Sequence, residues 1–160
     1  MAVGQHTITA LVQNESGTLN RLVSLFRRRM FSLSSLNAGD CEQEGYSRLT
    51  FVVNGDDNVL RQCLRQLEKL IDVVEVDDLP VQASVQRELA LVQVSCGAEK
   101  RREVLEIAQV MDCDVLHMSH DKLTLQCTAE AARLDNLIEL LKPYGIGQVV
   151  RSGLVAMRVA

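Results

Sequence analysis

Apolar residues along this chain alternate between a spacing of two and a spacing of three to four, and the order of those changes predicts its elements. Residues 6–13, HTITALVQ, mix β-branched and apolar side chains as a strand does, then run into the loop-and-cap cluster Asn14, Glu15, Ser16 and Gly17. A helix is expected from Thr18, with Leu19, Leu22, Val23, Phe26 and Met30 forming one buried stripe. Two strands follow, about 33–41 and 46–54, joined by a turn at Gln43 to Gly45. Asn54, Gly55, Asp56 and Asp57 supply turn and N-cap chemistry for a second helix, which carries Leu60, Cys63, Leu64, Leu67 and Leu70 on one face. DVVEVDDL, 72–79, reads as the closing strand.

This order is strand, helix, strand, strand, helix, strand, the split βαβ or ferredoxin-like unit. After Pro80 it recurs. ELALVQV (88–94) is a strand, a helix from Lys100 has Val104, Ile107, Ala108 and Met111 as its stripe, and DVLHMS (114–119) with KLTLQCT (122–128) forms a hairpin. A last helix with Leu134, Leu137, Ile138 and Leu141 stops before Pro143, and a strand runs from Ile146 towards Val159. A period of about 80 residues suits two tandem domains rather than a solenoid. The expected fold is therefore α+β, with two tandem βαββαβ domains at 4–80 and 88–160 and a link at 81–87. Helices on one face of each sheet leave the other face and the edges open, which predicts at least a dimer.

Composition narrows the function. The 160 residues are 47% hydrophobic and 24% charged, and no apolar run approaches the length of a membrane-spanning helix. MAVGQHTITA has neither a basic leader nor an apolar core, so a cytoplasmic location is expected. Cys41, Cys63, Cys96, Cys113 and Cys127 form no Cys-x-x-Cys pair and read as reduced thiols. A net charge of -4 and only 3% aromatic residues weigh against nucleic acid. An RNA-recognition motif, which shares the topology, would expose rings on its central strands, where the first module offers only Phe51. Arg27, Arg28 and Arg29, the one basic cluster, fall where a helix C-terminus is expected and complement its dipole.

Among candidate chemistries the first loop is the most informative. In Asn14-Glu15-Ser16-Gly17-Thr18-Leu19, the glycine admits a close approach by a ligand, the helix-start N–H groups favour a carboxylate, and the Asn14 amide can meet an ammonium group. On spacing alone the motif is a weak ligand signal, because Asn and Gly around a helix start are common capping residues. Cys113, His117 and His120 do not make a metal site, because His120 falls in a turn and no fourth ligand is spaced to complete a tetrahedron. No nucleophile elbow, phosphate loop or dinucleotide fingerprint is present, so no catalytic residue is assigned.

Taken together and in order, several segments resemble the small regulatory subunit of acetohydroxyacid synthase, also called acetolactate synthase. In the first module these are Asn14 to Leu19, Leu25-Phe26, Ser47-Arg48-Leu49-Thr50 and Gln66 to Val73. In the second they are Arg87 to Val92, Lys142 to Ile146 and Val150-Arg151-Ser152-Gly153. The resemblance implies an amino-acid-sensing ACT domain followed by a second ferredoxin-like domain. It also implies a homodimer through the ACT domains, with valine, leucine or isoleucine bound between them. The implied partner is a large catalytic subunit carrying thiamine diphosphate, Mg and FAD, while this chain holds no cofactor, no metal and no catalytic residue.

Carried over by position, the effector residues are Asn14, Gly17, Thr18 and Leu19, with Ser32, Leu33 and Asn37 from the facing strand and Gln62 from the second helix. Where the family usually has glycine, an aromatic residue and asparagine, this chain has Met30, Phe31 and Ser32, and serine offers a shorter hydroxyl in place of an amide. Two alternatives share the pattern: a free-standing amino-acid-binding module, and a structural dimerisation module acting on another protein.

Overall fold

In the computed structural model, which describes residues 4–159, the alternation in HTITALVQ sends Ile8, Ala10 and Val12 to one face of β1 (Gly4–Gln13). There they join Leu49, Phe51 and Val53 of β3 (Tyr46–Gly55) in a core closed by two helices, α1 (Thr18–Arg28) and α2 (Asp57–Glu68). With β2 (Ser32–Asp40) and β4 (Val73–Asp78) the strands form an antiparallel sheet in the order β2-β3-β1-β4. The α1 core face is Leu22, Leu25 and Phe26. Phe26 packs on Phe51 with ring centroids 5.3 Å apart and on Phe31 at 6.0 Å, so all three phenylalanines of the chain share one cluster. Asp56 caps α2 through its side chain, which accepts from the Val59 N–H at 3.0 Å. Cys63 lies fully buried on α2, and burial pushes its thiol up to about 12, so it packs as a protonated apolar group.

Two expectations for this unit are corrected. Leu19, Val23 and Met30 are not part of the buried stripe of α1; they are exposed, at 47%, 46% and 89%. A helix face about 100° wide is already filled by Leu22, Leu25 and Phe26, which leaves Leu19 and Val23 on its flank. Nor is the face of β1 opposite the helices open: Thr7, Thr9 and Leu11 are buried there, as are Thr50 and Val52 of β3.

The second unit repeats the plan. A five-stranded sheet has the order β6-β7-β5-β8, from β5 (Ser84–Ser95), β6 (Asp114–Met118), β7 (Lys122–Ala129) and β8 (Ile146–Arg151), with the last strand of the chain, Val155–Arg158, pairing β5 off this path. Two helices, α3 (Ala98–Val110) and α4 (Ala131–Leu141), bury Val104, Ala108, Leu134, Leu137 and Leu141 against Ala90, Val92, Val94, Leu123 and Leu125. The Arg151 guanidinium donates to both oxygens of the nearly buried Glu88 carboxylate, at 2.9 and 2.7 Å, and to Asp135 at 2.5 Å, tying β8 to β5 and α4. The Leu89 N–H donates to Ser152 Oγ at 3.0 Å. Thus Arg87 to Val92 and Val150 to Gly153, far apart in sequence, form one joint.

The strand expected from Ile146 towards Val159 is two strands, because the chain turns at Gly153 (φ +80°). The last piece, β9 (Val155–Arg158), belongs to the first compact unit, which holds the chain up to Gln86 and again from Leu154, while the second spans 87–153. Arg158 donates twice to Asp77, at 2.7 Å each, and once to the Asp78 carbonyl at 2.6 Å. This pairing holds the Asp77 carboxyl below its ordinary value.

Corresponding helices end alike. At the end of α1 the Met30 N–H donates to Arg27 O (3.2 Å) and the Phe31 N–H to Phe26 O (3.0 Å); at the end of α3 the Asp112 N–H donates to Gln109 O (3.3 Å) and the Cys113 N–H to Ala108 O (2.8 Å). Both are Schellman closures, and their left-handed positions are Met30 (φ +55°) and Asp112 (φ +56°). Aspartate tolerates this region; methionine does not.

Met30→Gly is expected to stabilise the chain by about 0.5–1 kcal/mol, read from the midpoint of urea unfolding. The Arg158–Asp77 contribution is expected in full above pH 3.8 and to fade as pH falls through the depressed Asp77 value. R158A should flatten the acid limb of the stability–pH profile there.

Candidate effector site

At the end of β1 the chain must leave the sheet and enter a helix within four residues, and the loop Asn14 to Gly17 does so through fixed contacts. The Asn14 N–H donates to the Gly45 carbonyl at 2.8 Å, the Thr18 N–H to Glu15 O at 3.2 Å, and the buried Thr18 hydroxyl to Gln13 O at 3.0 Å. Gly17 is the N-cap of α1 at φ +87°, with no side-chain cap on the first turn and no acidic residue within it. The partial positive charge of the helix start is therefore not offset by a side chain of its own first turn. Asn14 is exposed and Leu19 beside it is half-exposed.

Two residues that sequence reasoning passed over shape this loop. The Asp72 carboxylate, almost wholly buried at the entry to β4, accepts from Arg21 Nε at 2.5 Å, and its backbone carbonyl accepts from the Gln13 N–H at 2.8 Å. Bonding to Asp72 raises the Arg21 pKa, so the guanidinium stays charged. Its Nη1 lies 3.3 Å from where a Cβ on Gly17 would sit. An arginine four residues beyond a helix-start glycine was visible in the sequence, as was an aspartate among Leu70, Ile71, Val73 and Val74. Their pairing across 51 positions was not.

The expected effector residues fall into separate groups. Asn14, Gly17, Thr18 and Leu19 sit together at one end of the sheet. Ser32 and Leu33 sit at the other, because β2 runs parallel to β1: Ser32 lies opposite Asn54, whereas Val12 and Asp40 flank Ser47. The rows at Ser47 and Asn54 are about 23 Å apart at ~3.3 Å per residue. Ser32 Oγ accepts from Asn54 Nδ2 at 3.2 Å. Leu33 packs on the helix-side core, while Asn37, opposite Thr50, points to the other face. Gln62 is exposed midway along α2. Within one chain these residues do not converge.

Residues 8–75 match a model described as the AHAS small subunit-like ACT domain, and residues 87–159 match one described as the small subunit of acetolactate synthase. The acetolactate synthase small subunit of Bacillus subtilis is 42% identical over 150 residues, covering 93% of this chain and 87% of that one. The probable acetolactate synthase small subunit of Archaeoglobus fulgidus is 39% identical over 96% of both chains. The chain belongs to the acetolactate synthase small-subunit family. The crystal structure of the Thermotoga maritima acetolactate synthase small subunit superposes with a TM-score of 0.90 at 30% identity, covering 98% of each chain. The α+β tandem arrangement expected from the sequence is thus the arrangement of this family. Family sequence similarity assigns β9 to the carboxy-terminal module, whereas compactness assigns it to the first unit.

Gly17→Ala forces a side chain into a left-handed position against Arg21. It is expected to cost about 1–2 kcal/mol in chemical denaturation.

Proposed function

We propose that this chain is the regulatory subunit of acetolactate synthase. It activates a thiamine-diphosphate-dependent catalytic subunit and confers feedback inhibition by valine, leucine or isoleucine in cytoplasmic branched-chain amino acid biosynthesis. The observation that carries this reading, beyond family membership, is the division of the effector residues between opposite ends of one sheet. A two-fold copy with α1 antiparallel to its mate would bring Asn14 to Leu19 of one protomer beside Ser32 and Leu33 of the other. Leu19 and Val23, exposed on the flank of α1, and the edge strand β2 offer the surface for such a pair.

An amino acid bound across that junction favours one packing of the two domains over another. The catalytic subunit, bound to the same protein, feels the shift in proportion to its own preference. A coupling of about 1–3 kcal/mol is ordinary for such linkage and corresponds to roughly 5- to 150-fold in affinity. Thiamine diphosphate, Mg and FAD are assigned to the catalytic partner, as is the chemistry.

Purified alone, the chain is expected to form no acetolactate from pyruvate. Added to the catalytic subunit it should raise activity, and valine, leucine or isoleucine should then lower it. Gly17→Asp should abolish the inhibition and keep the activation, because its carboxylate would sit beside Arg21 in the effector loop. Robust synthesis by the chain alone, or no effect on the catalytic subunit, would sink the proposal.

A further inference from the structure

We propose that Cys113 and Cys127 in the second unit are a modification site: a low-molecular-weight disulfide of the glutathione class converts them into a reversible cross-strand disulfide. The pairing follows from register. β6 and β7 run antiparallel with Asp114 opposite Gln126 and Val115 opposite Leu125, so one rung further back sets Cys113 opposite Cys127. Both side chains lie on the helix side of the sheet, where Cys127 is buried in the core and the half-buried Cys113 packs against it. Both thiols turn to one acceptor, the Met111 carbonyl, Cys127 Sγ at 3.6 Å and Cys113 Sγ at 3.9 Å, and the two sulfur atoms are in hydrogen-bonding contact with each other.

Directly opposed residues of an antiparallel pair have Cα atoms about 4.5–5.5 Å apart, inside the span of roughly 4.4–6.8 Å that a disulfide bridges. The bond therefore asks for little backbone movement. Cys41 makes the contrast. It is also half-buried, yet the rung after Asp40 and Ser47 sets it opposite Tyr46, and its thiol donates to the Gln43 and Tyr46 carbonyls, at 3.6 Å each.

Exposure sets the order of two exchanges. The thiolate of Cys113, the more accessible of the pair, attacks one sulfur of the oxidant RSSR; a Cys113–SR bond forms, the RS–SR bond breaks, and RS⁻ leaves and takes up the proton that Cys113 gave up. The Cys127 thiolate then attacks Cys113 Sγ, and a second RS⁻ leaves and takes up the proton from Cys127. The two cysteines lose two electrons and two protons, and the oxidant becomes two RSH. Burial, reinforced by Cys127, pushes the Cys113 thiol up to about 12, so thiolate is scarce and the exchange runs on the order of minutes to hours. The pair responds to sustained rather than brief oxidation. The bridge staples β7 to the end of α3, where the Cys113 N–H already donates to Ala108 O at 2.8 Å.

The full chain, first reduced and then held overnight with oxidised glutathione, tests this by intact mass and peptide mapping. The expected product has lost two hydrogens, carries a peptide linking Cys113 to Cys127, and reverts with dithiothreitol. Its thermal midpoint should rise by at least about 5 °C, a shift that C113S should not show. C127S should stop at a glutathione adduct on Cys113. If that variant folds poorly C127A replaces it, and mapping of the unsubstituted chain decides without either. Free thiols at both positions while Cys41 carries glutathione would overturn the inference, as would a bridge from Cys113 or Cys127 to a second copy of the chain. Either failure leaves the regulatory reading standing, because the catalytic subunit takes no part in the experiment.

Discussion

A helix joining two parallel strands carries the chain from one end of a sheet back to the other, and in the first unit this single topological constraint decides which loop and strand residues can meet. The loop after β1 and the start of β2 are successive in sequence apart from α1, yet about 23 Å of sheet separates their rows. Residues at these two ends therefore do not meet within one chain. In the proposed two-fold pair the second copy is inverted and would place its opposite end alongside, which would couple sensing to association. The exposed Leu19 and Val23 on α1 follow from the same constraint, since the helix lies at the flank of the core with a second apolar edge left over.

Within the protomer the loop is held by polar contacts at a few points. Asp72 is buried, ties β1 through its carbonyl, and ties α1 through its carboxylate. Removing a group of this kind leaves an unpaired partner, which costs more than the pair itself contributes. The Glu88–Arg151–Asp135 cluster has the same character in the second unit, joining two strands and a helix through one guanidinium. The left-handed helix ends at Met30 and Asp112 show the repeat at finer grain: both halves close a helix in the same way, with different residues at the strained position.

Much of this organisation was legible from residue spacing. The alternation in HTITALVQ, the i, i+4 stripe Leu134, Ile138 with Leu137 and Leu141, the stop at Pro143 and the Asp56 cap each record a local preference, and local preferences survive translation into structure. The Thr18 helix start belongs to the same class. Spacing overstates the α1 stripe, because periodicity counts apolar residues without saying how many the core has room for. Spacing also overextends the final strand, because Ser152-Gly153 is a break only in the context of its bonds to Leu89.

The sequence by itself determined the order of elements, the duplication and the family, because each is encoded by neighbours a few residues apart or by motifs in series. Only the tertiary structure decided that Arg21 pairs with Asp72, that β9 returns to the first unit through Arg158 and Asp77, and that Ser32 lies far from Asn14 in its own chain. These are distances between residues separated by many positions. They depend on strand order and register, which no local pattern specifies.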